Sequence, residues 1–237
     1  MKTLDRTQLK LIAICAMVID HTAWGFVEFM TPLGQIMHIM GRFTLPIMCF
    51  FVAEGFRKTS NIKAYITRMA CFAVVAMIPF YLFFHEEYEY RQNIIFDLLL
   101  GLLMLTVLEH EKLKKWQKTV LVIGILAISF CSDWSCIAVL AIMEISTNRG
   151  NFKKQMTGMM IWCVMYAVIF FIFINPVYGV IQLFVALTIP LLKAYNGQRG
   201  SWKGMKYLFY IYYPLHLIIC GIIRIALHGN VSVMIGG

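Results

Sequence analysis

At 237 residues, 60% apolar and only 14% charged, the chain lacks the composition of a water-soluble domain, about a quarter of which is charged. With a mean hydropathy of +0.75, it is expected to be an integral membrane protein, one all-α domain over residues 1–237. The formal net charge of +9 does not indicate nucleic acid, because the basic residues form short clusters between apolar runs, the pattern that sets membrane topology.

In chain order, nine apolar stretches read as candidate spanning helices: 10–30, 35–56, 66–85, 93–109, 118–131, 134–147, 156–175, 177–193 and 206–228. The first is too long for the apolar core of a signal peptide, and no small-residue cleavage pattern follows it. Stretches 118–131 and 134–147 are short for a crossing, so two full spans and a re-entrant hairpin both remain open. Of the 21 basic residues, 18 fall near 2–10, 57–68, 112–118, 149–154 and 193–206. If each stretch crosses once, these lie on one side. The positive-inside rule makes that side the cytoplasm, with the N-terminus inside and the C-terminus outside. The opposite loops are 31–34, 85–92, 131–136 and 175–179; segment 85–92 carries three glutamates. Seven cysteines are scattered without metal-ligand spacing, so no metal is expected, and only Cys131 and Cys136 stand close enough in sequence to suggest a disulfide.

Ionisable residues at bilayer depth are costly and usually mark function. Asp20 and His21 lie near the middle of the first stretch, Arg42 and Glu54 in the second on either side of Pro46, Asp97 in the fourth, and His216 and Arg224 in the last. Pro46 removes a backbone hydrogen bond and permits a kink. Neighbours on a helix diverge by about 100°, so Asp20 is expected to pair with Arg42, or to orient another residue, rather than to hold His21. An imidazole titrates near neutral pH, which makes His21 the candidate base. Asp97 is read as open to a structural bridge with Arg42, Arg224 as snorkelling outward, and His38 as structural.

Five segments, KLIAICAMVIDHTAW (10–24), GRFTLPIMCFFVAEGFRKTSN (41–61), NIIFDLLLG (93–101), SDWS (132–135) and YYPLHL (212–217), resemble the TraX family. That resemblance implies N-acetylation of a pilin amino terminus. It also implies similarity to larger membrane acyltransferases, which carry a basic residue, ten spacers and a histidine in their first helix. Lys10 and His21 fit that spacing, a rise of about 16 Å.

The expected function is therefore acetyl transfer. Acetyl-CoA is the co-substrate, its phosphates near Lys10, Arg57, Lys58 and Arg68, with Glu54 shaping the entrance. His21 acts as base and His216 as a second acid–base group. Arg42 either holds Asp20 or stabilises the oxyanion. Asp97, Asp133 and Trp134 face an acceptor that is a peptide, pilin or amino sugar. A proton-coupled transporter uses the same residue types, although no paired halves are visible. A non-catalytic assembly factor is the third reading.

Overall fold

The computed structural model describes residues 3–84, 91–202 and 204–229; the glutamates of the 85–92 loop lie outside them. Among the described residues there are twelve α-helices and no strand, only two isolated bridges. The helices are α1 (Arg6–Phe26), α2 (Pro32–Gly41), α3 (Thr44–Lys58), α4 (Ile62–Val75), α5 (Met77–Phe84), α6 (Ile94–Glu109), α7 (Lys115–Ser129), α8 (Ser135–Thr147), α9 (Phe152–Phe173), α10 (Pro176–Gln182), α11 (Thr188–Lys193) and α12 (Met205–His228).

Six helical stretches are long and apolar enough to cross a membrane: Arg6–Phe26, Pro32–Lys58, Ile62–Phe84, Phe152–Phe173, Pro176–Lys193 and Tyr207–His228. Together with shorter apolar helices they make this a polytopic helical membrane protein. All nine expected stretches are helical, but α6, α7 and α8, with 16, 15 and 13 residues, fall short of the roughly 20 that a crossing takes. Large apolar side chains project outward along α7 (Val120, Ile123, Ile128) and α9 (Ile161, Ile169, Ile172), as helices facing hydrocarbon require. Cys131 and Cys136 are free thiols.

The chain divides into two compact units. The first comprises Met1–Ile47, Val75–Glu89 and Val164–Gly237. Here α1 packs against α2 and α12, α12 against α5, and α10 against α2. Helix α1 starts four residues before the apolar run because Asp5 and Gln8 form a reciprocal capping box that satisfies orphan N–H groups. Backbone hydrogen bonds from Leu4 N to Ala194 O, Asn196 N to Leu4 O and Arg6 N to Gln198 O clamp this end to the segment before α12, so the first and last basic clusters share one end of the unit.

The break between α2 and α3 falls at Arg42 and Phe43, upstream of Pro46. Proline has no N–H to donate to the carbonyl of Arg42, and its ring crowds that carbonyl, so the helix restarts with Pro46 in its first turn, where proline is tolerated. The last turn of α2 tightens accordingly: Arg42 N and Phe43 N donate three residues back, to Ile39 O and Met40 O. Glycines allow close approach elsewhere. A Cβ on Gly25 would lie 3.1 Å from the Phe83 ring, and one on Gly221 would lie 3.1 Å from Leu82. Arg224 is 1% exposed; it is enclosed in α12 rather than snorkelling.

The second unit comprises Met48–Val74 and Tyr90–Cys163. Helix α6 is apolar and buried on every side, packed against α7 and α8 around Leu100, Met104, Ile125 and Val139. Asn93 caps it, accepting from Ile95 N (3.0 Å) while its amide donates to Ala73 O (2.8 Å).

Candidate functional site

His21 on α1 and His216 on α12 meet inside the first unit. His21 Nδ1 and His216 Nε2 are 2.6 Å apart, and the ring planes differ by 4° at a centroid separation of 4.9 Å. Stacked rings need about 3.5 Å between atoms, so the pair is joined edge to edge in a common plane. The other nitrogen of His216, Nδ1, lies 2.9 Å from the carbonyl of Tyr212. A carbonyl only accepts, so His216 Nδ1 carries the proton. In the neutral ring His216 Nε2 is then an acceptor, and His21 Nδ1–H donates to it. That fixes the His21 tautomer: its Nε2 holds the lone pair and has no hydrogen-bond partner among the described residues. His21 is 9% exposed, with Phe83, Phe84 and Tyr213 around it at centroid distances of 5.6, 5.7 and 6.4 Å.

Asp20 points away from its neighbour into a second cluster. Its carboxylate accepts from Arg42 Nη2 through both oxygens at 3.1 Å and from His38 Nδ1 at 2.9 Å. Arg42, 3% exposed, also donates from Nε to His38 O (3.1 Å) and from Nη1 to Gln182 Oε1 (2.9 Å). Its guanidinium lies 5.4 Å from the Tyr178 ring centroid, within cation–π range. One side chain therefore fastens α1, α2 and α10. The Cα of Gly41 lies so close to Asp20 that a Cβ there would overlap the carboxylate. His38 is fully enclosed; Trp24, Phe29 and Tyr178 surround its ring at 5.0, 5.5 and 6.0 Å, and its Nε2 has no partner among the described residues. His38, Tyr178 and Gln182 are participants that sequence reasoning either treated as structural or did not single out. For His38 the signal was its i, i+4 relation to Arg42; for Tyr178 and Gln182 the sequence carried none.

Asp97, read as open to a bridge with Arg42, has its partners within its own unit. Asp97, 0% exposed, belongs to the second unit, where it accepts from the Ser132 hydroxyl and from Trp134 N at 3.1 Å. It thereby fastens the turn between α7 and α8, whose next residue, Ser135, is held at φ 51°. Asp133 and Trp134 are half-buried in that turn. Of the residues expected around the cofactor, Arg57 and Lys58, read as phosphate contacts, and Glu54, read as shaping the entrance, line one pocket of about 180 Å³ in the second unit. Arg57 pairs with Glu109, and Lys58 with Glu54 at 2.7 Å. Arg68 is not part of that lining; its guanidinium sits 5.4 Å from the Tyr65 ring centroid. Lys10 is half-buried on α1 in the first unit. Among the described residues no group of three His, Cys, Asp or Glu side chains converges as a metal site would.

Apolar helices enclosing paired imidazoles and a fastened carboxylate–guanidinium pair define a multi-pass membrane protein with a polar interior. The TraX protein family model matches residues 5–224, and the chain belongs to that family. It is 28% identical over 227 residues, 90% of its own length and 92% of the relative's, to the probable fimbrial assembly protein FimC, serogroup H1, of Dichelobacter nodosus. No solved structure matches the chain.

Proposed function

We propose that the protein is a membrane-embedded acetyltransferase, moving an acetyl group from cytoplasmic acetyl-CoA to the amine of an extracytoplasmic acceptor. The observation that carries this reading is the hydrogen-bonded line from Tyr212 O through His216 to His21, which leaves His21 Nε2 with an unshared lone pair in an aromatic surround. A histidine oriented by a second group is the usual arrangement for general-base catalysis.

As the acceptor amine adds to the thioester carbonyl, a carbon–nitrogen bond forms and His21 Nε2 takes the proton from that nitrogen. The carbon–sulfur bond then breaks, and His21 returns the proton to the leaving thiolate, so the products are the amide and free coenzyme A. His216 orients His21 without touching the reactants. The hydrogen bonds of Arg42 to Asp20, His38 and Gln182 favour a positioning role for it over an oxyanion-binding one. The name of the fimbrial relative makes a pilin-like amino terminus the first acceptor to try. The positive-inside rule supports a cytoplasmic N-terminus, and the proposed acetyl-CoA entrance is on that same side.

The test is transfer of radiolabel from acetyl-CoA to a synthetic pilin-like peptide by purified full-length protein. His21→Ala is expected to lower turnover by about 10²- to 10⁴-fold, the range for a general base, while a thermal melt still shows a cooperative folded state. Coenzyme A-independent solute flux in proteoliposomes, with no labelled peptide, would replace this reading with a transporter.

A further inference from the structure

The pocket in the second unit lies where α3 and α8 end and α9 begins. It is lined by three cations, Arg57, Lys58 and Arg149, against one carboxylate, Glu54. That carboxylate is held by Lys58, and Arg57 is held by Glu109. Arg149 has no ion-pair partner among the described residues. Ser146, 3% exposed, also lines the pocket, and its hydroxyl is a buried polar atom with no hydrogen-bond partner among the described residues. Such a group costs free energy unless a ligand or water satisfies it. Gln155, buried at the rim, has its amide fixed on Ile145 O at 2.6 Å. The first residues of α9 follow directly, with Asn151 accepting from Lys154 N.

Cations in the last turn of a helix also complement its dipole, and that would account for Arg57 and Lys58. It does not account for a half-open pocket that has the exposed Arg149 at its mouth and the buried, unsatisfied Ser146 hydroxyl in its lining. Guanidinium and hydroxyl donors around a small cavity match phosphate oxygens.

We propose that this pocket is a phosphate-binding site, with Arg149 and Ser146 as its uncommitted donors and Arg57 and Lys58 supplying the field. Resting on the acetyl-CoA reading, its ligand is the nucleotide end of coenzyme A; an anionic lipid headgroup offers the same chemistry and is the competing source.

The test titrates full-length protein in detergent with coenzyme A, with acetyl-pantetheine, which has the same thiol arm without phosphates, with inorganic pyrophosphate, and with short-chain phosphatidylglycerol. Arg149→Gln is expected to weaken coenzyme A and pyrophosphate binding about tenfold, and Ser146→Ala about threefold, in line with charge-assisted and neutral hydrogen bonds. Acetyl-pantetheine affinity and melting temperature should not move. Lys153→Gln, an exposed cation outside the lining, should leave every affinity unchanged.

If both variants bind coenzyme A as tightly as the parent, the pocket assignment is overturned while the acetyl-CoA reading survives. If the parent binds phosphatidylglycerol but not coenzyme A, and that binding falls in both variants, the phosphate site stands with a lipid as its ligand and the acetyl-CoA reading fails. If none of the phosphorylated probes binds the parent, both are overturned.

Discussion

Replacing His216 tests the orienting line directly. His216→Ala removes the acceptor for His21 Nδ1–H, which lies 2.6 Å away in the plane of the ring. A neutral hydrogen bond is worth about 0.5–1.5 kcal/mol net, so the productive tautomer and orientation of His21 should lose roughly 2- to 12-fold in occupancy. That loss should appear in kcat, with KM for acetyl-CoA nearly constant. His216→Gln can offer an amide oxygen near the place of Nε2, and it should recover most of the loss. His21→Ala should cost 10²-fold or more, and the double variant should be no slower than His21→Ala alone, because His216 acts only through His21. The assay is labelled acetyl transfer to a peptide amine, with a thermal melt of each variant to exclude misfolding. Multiplicative losses in the double variant, or a His216→Ala defect as large as that of His21→Ala, would refute the orienting role and make His216 an acid–base group in its own right.

Asp20→Asn leaves the enclosed Arg42 without its carboxylate. Breaking one side of a buried pair costs about 3–5 kcal/mol, which should appear as a clear fall in melting temperature and in yield. Arg42→Lys keeps the charge but not the planar fork; it should lose much of the same stability, and an unchanged melt would show that the contacts to His38 and Gln182 contribute little. Gly41→Ala forces a methyl group into the Asp20 carboxylate and should destabilise by about 1–3 kcal/mol, read in the same melt. Ser132→Ala strips one donor from the buried Asp97; an expected loss of about 1.5–3 kcal/mol, measured by thermal unfolding, identifies Asp97 as a structural fastener.

The helical membrane architecture was legible because apolar length and charge clustering are local properties of a sequence. Asp20 turning away from His21 followed equally from helix geometry. The partners of Asp20 were legible only in part: Arg42 was the obvious cation, but His38 reaches the same carboxylate from one turn earlier on α2, and Gln182, which holds Arg42, is 140 positions from it in sequence. The separation of 195 positions between His21 and His216 likewise gives no periodic signal. The partner of Asp97 stays open in the sequence because depth in a span says nothing about which unit a residue joins; a turn hydroxyl and a backbone N–H satisfy it. Arg224 was misread because snorkelling assumes a lipid-facing helix side, whereas its side of α12 is covered. The pocket at the ends of α3 and α8 was half visible, in Arg57 and Lys58, while Arg149 and Ser146 come from a loop and helix end about 90 residues later.

The linkage that Arg42 makes between α1, α2 and α10 also bears on how the protein is made. Asp20 precedes Arg42, so the carboxylate is already present when the guanidinium leaves the ribosome, and the two can enter lipid as a neutralised hairpin. Gln182 and His216 follow more than a hundred residues later. The first unit is stitched from three separate stretches of chain, so the imidazole pair is completed only once α12 has been made, and a chain stopped before α12 carries a neutralised hairpin but not the imidazole pair.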